Sequence, residues 1–312
     1  MNKTAAMIGA GLIGRSWAMV FARAGWTVQL YDSDPGQLTD VRAYIGASLV
    51  EQQAAGICDD AVAAQARIEY VSSLNTAVTG AAWVHEHLPE QVALKLQIFA
   101  QLDRMAEGDA ILASSTSAIP ASQYTEKVAG RARCLVAHPV YPPHLVPVVE
   151  LCGAPWTAPA TIERAHAIMT EIGQVPIIVR REIDGFILNR LQGALLTEAM
   201  RLVEEGYVSP DDLDKTIKDG LGLRWSFMGP FETIELNAPG GVADYCARYS
   251  DFYRRLAADP GRPEVWEGEH VARVVAALGA PLSPSERAQR TQRRDRRLVA
   301  LRRHKSTSSK SE

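Results

Sequence analysis

The segment AAMIGAGLIGRSWAMVFARAG, near the start of the chain, constrains the fold more than any other feature. A short apolar run ends in three glycines spaced Gly9-x-Gly11-x-x-Gly14, and a helical pattern, RSWAMVFARAG, begins at once behind them. A second apolar run, TVQLYD, follows and ends in Asp32. Strand, glycine turn, helix and strand in this order read as a βαβ unit, which requires a parallel sheet. Gly9 permits the tight turn, Gly11 lets the backbone come close to a ligand, and Gly14 lets the helix settle against the strand.

The helix that starts with Leu12 and Ile13 offers free backbone N–H groups and the positive end of its dipole to an anion. The turn is therefore expected to hold the pyrophosphate of a dinucleotide. Asp32 stands where a carboxylate accepts hydrogen bonds from ribose hydroxyls. With Asp34 close by and no lysine or arginine after it until Arg42, it favours NAD over a phosphorylated ribose. Taken alone, the glycine spacing is equally compatible with a plain turn before a buried helix.

Further strands are expected at WVHEHL, AILASST, RCLVAHP, VVEL and VPIIVR, with helices such as QVALKLQIFAQLDRMA and ATIERAHAIMTEIG between some of them. This alternation predicts an α/β, Rossmann-type, doubly wound and mainly parallel sheet over residues 1–184. From Asp184 onward nearly every segment has helical periodicity. Residues 185–304 are expected to form an all-helical C-terminal domain that starts with a buried helix, GFILNRLQGALLTEAMRLVEEG. Pro210, Pro230, Pro263 and Pro284 are plausible helix starts, and the polar tail 305–312 is expected to be disordered.

A chain of 312 residues exceeds what one core usually organises, in keeping with two domains. With 47% apolar and 22% charged residues and a net charge of −3, it gives no reason to expect nucleic acid or an anionic membrane as partner, though Arg287 to Lys310 is locally basic. No window offers the roughly 18 uncharged apolar residues of a membrane span. MNKTAAMIGAGLIG lacks a leader's apolar centre, so a cytoplasmic protein is expected. Cys58, Cys134, Cys152 and Cys246 are too scattered for a metal site; no metal is expected, and the cysteines read as reduced thiols.

Taking up a hydroxyl proton calls for a side chain that titrates near neutrality, and His138 is the best-placed histidine. It ends the apolar run CLVA and enters the stiff loop PVYPPHLVP, from which VVEL returns. A strand-loop-strand excursion can bring Glu150 back beside it to fix the imidazole tautomer. A histidine at a strand end also serves as an ordinary structural hydrogen-bonder. His85 and His87 in WVHEHLPE, and His144 in the loop, are rivals.

The segments GAGLIGRSWAMVFARAGWTVQLYD, SSTSAI, VAHPVYPP, PVVEL, DGFILNRL, GLGLRWSFMGPFET and LNAPGG occur in an order that resembles the 3-hydroxyacyl-CoA dehydrogenase superfamily, over about residues 4 to 303. The resemblance is greatest to its lambda-crystallin or L-gulonate 3-dehydrogenase branch. It implies an NAD-dependent dehydrogenase in which His138 is the general base and Glu150 its partner. Ser117 and Asn189 would bind the reacting oxygen, and Glu90 and Lys95 would contact the cofactor. Read only from the residues, Ser117 is also compatible with bonding turn backbone and Asn189 with capping a helix. The resemblance further implies a homodimer joined through the helical domain.

Tyr141 stands where the loop of such proteins usually has asparagine, so contacts to substrate or nicotinamide made there must change. Arg224, in GLRWSFMGPFET, is a candidate clamp for the carboxylate of a free 3-hydroxy acid, L-gulonate being the leading candidate. A 3-hydroxyacyl-CoA dehydrogenase, a keto-ester or diketo reductase, and an NADH-binding structural protein of the crystallin kind are the alternatives.

Overall fold

A computed structural model of the chain describes residues 3–308. Its sheet has eight strands: β1 (Thr4–Ile8), β2 (Thr27–Tyr31), β3 (Ile68–Val71), β4 (Trp83–Glu86), β5 (Ile111–Ser114), β6 (Cys134–Pro139), β7 (Val148–Gly153) and β8 (Val175–Val179). They lie in the order β3-β2-β1-β4-β5-β6-β7-β8. All neighbouring pairs are parallel except β6 and β7, which run antiparallel. The doubly wound sheet expected from the sequence is present. Strand order reverses between β1 and β4, and the crevice at the carboxyl ends of these strands is where such sheets bind ligands.

Side chains alternate across β1. Ala5 and Met7 enter a core with Trp17, Phe21, Trp26 and Trp83 on one face, while Ala6 and Ile8 enter another with Phe99, Leu102 and Tyr124 on the other. Helices α1 (Leu12–Arg23), α2 (Pro35–Ala54), α3 (Ala61–Ala66), α4 (Leu74–Val78), α5 (Val92–Met105), α6 (Ser122–Thr125) and α7 (Pro159–Glu171) connect the strands. Covering both faces explains why the strands read as continuous apolar runs. Strand β3 escaped the sequence reading, because four residues, IEYV, with an exposed Glu69 carry little periodicity.

The chain divides into two compact units, one running to Asn189 and resuming at Arg290, the other spanning Arg190–Gln289. The second is helical: α8 (Leu188–Glu204), α9 (Pro210–Lys215), α10 (Gly222–Trp225), α11 (Pro230–Leu236), α12 (Gly241–Ala257) and α13 (Gly268–Leu278), with a π-helical stretch at Thr216–Leu221. Pro210 and Pro230 open helices as expected, whereas Pro263 opens only a 3-10 turn, Pro263–Trp266. Helix α8 contains no buried residue, contrary to expectation; Leu191, Leu195 and Leu196 of its apolar stripe are exposed.

Helix α14 (Pro284–Ser308) corrects the domain limits read from sequence. Its body from Arg290 belongs to the first unit, so the helical domain does not run on to residue 304. The helix also continues through 305–308, which the sequence reading placed in a disordered tail, since extending a formed helix costs far less than starting one. Residues 309–312 of that tail lie outside the described residues.

Candidate active site

The glycine turn is built as its spacing requires. Gly9 has φ +104, a conformation that L side chains rarely adopt. A Cβ on Gly14 would lie 1.8 Å from the Gly9 carbonyl oxygen, so only glycine lets α1 pack this close. A Cβ on Gly11 would meet no protein atom within 4 Å, which leaves open space over the exposed first turn of α1. No side chain caps that helix, and the N–H groups of Leu12, Ile13 and Gly14 are left for an anion.

Asp32 is half-buried at the end of β2, where Oδ2 accepts from Ala10 N at 2.7 Å and Oδ1 from Asp34 N at 3.0 Å. The carboxylate therefore fastens the turn to β2 while each oxygen keeps a lone pair for a ribose hydroxyl. These residues fit a dinucleotide.

A second cluster lies at the ends of β4 and β5. Oε1 of Glu90 accepts from Thr116 Oγ1 and from the backbone N–H groups of Ser117 (3.2 Å), Ala118 (3.1 Å) and Ile119 (3.3 Å). One carboxylate oxygen thus shapes the loop that presents Ser117. Lys95 is buried, with its Nζ 2.9 Å from Glu86 Oε2 and 3.9 Å from Glu90 Oε2. The expectation that Lys95 touches a cofactor directly does not fit this burial; its ammonium neutralises Glu86 and stands behind Glu90. Ser114 Oγ completes the group by donating to Glu86 at 2.5 Å. Glu86 and Thr116 were not legible as site residues, because a glutamate or threonine at a strand end has no distinctive spacing.

His138 and Glu150 are directly opposite each other on the antiparallel strands β6 and β7. Their side chains meet with Nδ1 2.7 Å from Glu150 Oε2. A carboxylate can only accept, so the imidazole proton is on Nδ1 and Nε2 carries the lone pair. The other carboxylate oxygen, Oε1, accepts from Ile187 N at 2.8 Å and Leu188 N at 3.0 Å. Burial pushes the Glu150 carboxyl up, but the bonds from His138, Leu188 and Ile187 outweigh it and hold it below the usual glutamate range.

The backbone reaches those bonds through two left-handed residues, Gly185 at φ +75 and Phe186 at φ +47. A non-glycine residue there costs on the order of 1–3 kcal/mol. Phe186 is fully buried, and its ring centroid lies 5.7 Å from that of His138.

Asn189, in the first turn of α8, donates from Nδ2 to the Ser117 carbonyl at 2.8 Å. His138, Glu150, the start of α8, Asn189 and the Ser117 loop are therefore joined by one continuous set of contacts. The rival histidines stand apart from it. Burial pushes His85 and His144 down to about 3 and His87 well below the ordinary value, with neighbouring cations adding to the effect in His144. His85 and His87 share Ser115 Oγ at 2.9 and 3.1 Å beneath the glycine turn.

Two further candidates have surroundings of their own. The Tyr141 ring is 5.1 Å from the Arg294 guanidinium carbon on α14. Arg224 is exposed on α10, with no carboxylate within ion-pair distance among the described residues. All four cysteines are free, and no group of three or more histidine, cysteine, aspartate or glutamate side chains among the described residues could hold a metal. No described helix is long and apolar enough to cross a membrane.

A doubly wound sheet, a glycine turn with a carboxylate at the end of β2, and a histidine-carboxylate pair on β6 and β7 define an NAD-dependent dehydrogenase. The chain matches the 3-hydroxyacyl-CoA dehydrogenase NAD-binding domain over residues 4–183 and the C-terminal domain of the same proteins over residues 185–272. It is 43% identical to lambda-crystallin of Oryctolagus cuniculus over 305 residues, 95% of each chain. It is 35% identical to L-carnitine dehydrogenase of a Pseudomonas species, covering 96% of this chain and 92% of that one. Among solved structures, 5-formyl-3-hydroxy-2-methylpyridine 4-carboxylic acid 5-dehydrogenase, described as an NAD+-dependent dismutase, superposes with TM-score 0.83 at 28% identity, over 97% of this chain and 98% of the other. The chain belongs to the 3-hydroxyacyl-CoA dehydrogenase family.

Proposed function

We propose that this dehydrogenase oxidises the 3-hydroxyl of a free L-3-hydroxy acid to the 3-keto acid, with L-gulonate as the leading candidate. The observation that carries the reading is the His138–Glu150 pair, 2.7 Å apart, which leaves Nε2 as the one basic nitrogen of the imidazole. In the reaction His138 takes the hydroxyl proton, and Glu150 stabilises the imidazolium that forms. Bound NAD supplies the two-electron acceptor for the hydride that leaves C3. The Ser117 hydroxyl and the Asn189 amide can donate to the substrate oxygen both as alcohol and as carbonyl. The second oxygen of Glu90, 3.9 Å from Lys95 Nζ, can accept from a carboxamide, while the N–H groups of Leu12, Ile13 and Gly14 take the pyrophosphate and Asp32 the ribose.

Arg224 is the reason for preferring a free acid to a thioester. An unpaired guanidinium suits bidentate capture of a carboxylate. The test is to compare L-gulonate, L-3-hydroxybutyrate and 3-hydroxybutyryl-CoA with NAD as acceptor. A free acid should be the best substrate, and Arg224→Met should raise its KM by about 10–100-fold, the cost of a charge-assisted pair of roughly 1.5–3 kcal/mol. Preference for the thioester, or an unaltered KM, would refute this choice of substrate.

The same reading implies a homodimer. The helical unit leaves Leu191, Tyr207, Phe227, Phe231 and Leu236 between 67% and 78% exposed, more large apolar surface than a monomer ordinarily shows to water. A second copy of the chain is the partner proposed to cover it. Light scattering should give twice the monomer mass of 34.0 kDa, and a monomer at micromolar concentration would exclude the assembly.

A further inference from the structure

We propose that helix α14 is a positioning element for the His138–Glu150 pair, acting through Tyr141 and the His144 carbonyl in the loop that joins β6 to β7. The proposal rests on the reading of His138 as the base.

That loop fixes where the two side chains meet, because it connects the strands that carry them. It is poor in ways of holding itself. Pro139, Pro142, Pro143 and Pro147 have no N–H to donate. Its internal bonds run from Val140 N to Val148 O at 3.2 Å, and from Leu145 N and Val146 N to Pro142 O at 2.9 Å each. What remains for anchoring is carbonyl oxygens and side chains.

Helix α14 uses both. Arg302 Nη1 donates to the His144 carbonyl at 2.9 Å, and its Nη2 reaches the Gly173 carbonyl at 3.3 Å. Two turns earlier, Arg294 faces the Tyr141 ring at 5.1 Å, within cation-π range, and is oriented by Asp295 at 2.7 Å. The first anchor is electrostatically expensive. Arg23 Nη1, from α1, donates to the same His144 oxygen at 2.8 Å, so two guanidiniums share one acceptor. Neither has a carboxylate within ion-pair distance among the described residues. Burial, followed by the charge of Arg302, pushes the Arg23 guanidinium down to about 9. Like charges held together in this way oppose folding, and packing alone would be served better by an apolar side chain. What the arrangement secures is both lone pairs of one carbonyl in the middle of a loop with few other anchors. Helix α14 also lies beyond the matched family domains, which end at residue 272.

The test compares Arg294→Ala, Arg294→Lys and the double variant Arg294→Ala/Arg302→Met with the full-length wild type. The first readout needs no substrate. Proton NMR should show a downfield Nδ1–H resonance from the 2.7 Å bond, identified by its loss in His138→Gln. In the double variant this resonance should broaden or shift, and Arg294→Lys should restore it in part. The second readout is turnover of L-gulonate or L-3-hydroxybutyrate. The double variant should lose about 10–100-fold in kcat, the order expected for misplacing a base from a distance, while NADH affinity stays within about twofold.

An unchanged resonance and unchanged kcat in folded variants would overturn the positioning role. Should the double variant fail to fold, Arg294→Ala alone decides, since its contact is at the half-exposed Tyr141 ring. His138→Gln separates the two ideas: if it keeps normal turnover the function reading has failed, and if it is inactive while the α14 variants match wild type, only this inference has.

Discussion

His138→Gln should lower kcat by about 10²- to 10⁴-fold and leave NADH affinity close to wild type, the range general bases contribute. Glutamine occupies similar space, and its amide can still donate to Glu150, so the strand pair keeps its contact. What is lost is a nitrogen that can take a proton. No neighbour can replace it, because desolvation holds His85, His87 and His144 neutral far below physiological pH. Steady-state kinetics with a fluorescence titration of NADH would check both, and turnover near wild type would remove His138 from the role.

Glu150→Gln should be comparably damaging for a different reason. The substitution preserves volume and one acceptor oxygen, which can stay with Ile187 N and Leu188 N. The amide NH2 then faces His138 Nδ1, which must become the acceptor, and the proton moves to Nε2. An imidazole in that tautomer cannot take the substrate proton, and a kcat loss of about 10³- to 10⁴-fold is expected, as when the orienting acid of a triad is made an amide.

The same residue makes a stability prediction. The folded state holds the Glu150 carboxyl below its unfolded value, so its ionised form stabilises the fold above the unfolded pKa. That contribution disappears as pH falls through the lower, folded value. The difference in unfolding free energy between wild type and Glu150→Gln should therefore be largest near neutrality and shrink on acidification below the ordinary glutamate range. Urea melts at several pH values would measure it, and a difference independent of pH would contradict the assignment.

Most of the nucleotide-binding unit was legible because its signals are local and periodic. The apolar run, the Gly9–Gly14 spacing and Asp32 fall within one βαβ unit, and the structure adds only that Asp32 also fastens the turn through Ala10 N. The pairing of His138 with Glu150 was legible for a related reason, since a strand that turns back on itself places residues opposite each other. Less visible was anything that depends on a third element. Lys95 looks from sequence like any lysine near the start of a helix, and its burial against Glu86 becomes evident only once β4 and α5 are side by side. The left-handed Phe186 has no sequence mark, because strain of this kind is tolerated only where the surroundings enforce it. The domain limits misled for the same reason. Helix α14 has the composition of a solvated helix, and the contacts that tie it to the first unit include Arg302 on two backbone carbonyls and Arg294 on the Tyr141 ring.

That return gives the first unit an order of assembly. Its strands and glycine turn are complete once residue 189 has been made, yet the second anchor of its proline-rich loop, Arg302, comes only after the entire helical unit. At ordinary synthesis rates of about 5–20 residues per second, the nascent nucleotide-binding unit spends on the order of 10 s with the His144 carbonyl held by Arg23 alone. The two guanidiniums on His144 are thus acquired in sequence: the first when α1 docks on the sheet, the second as the last step that closes the unit.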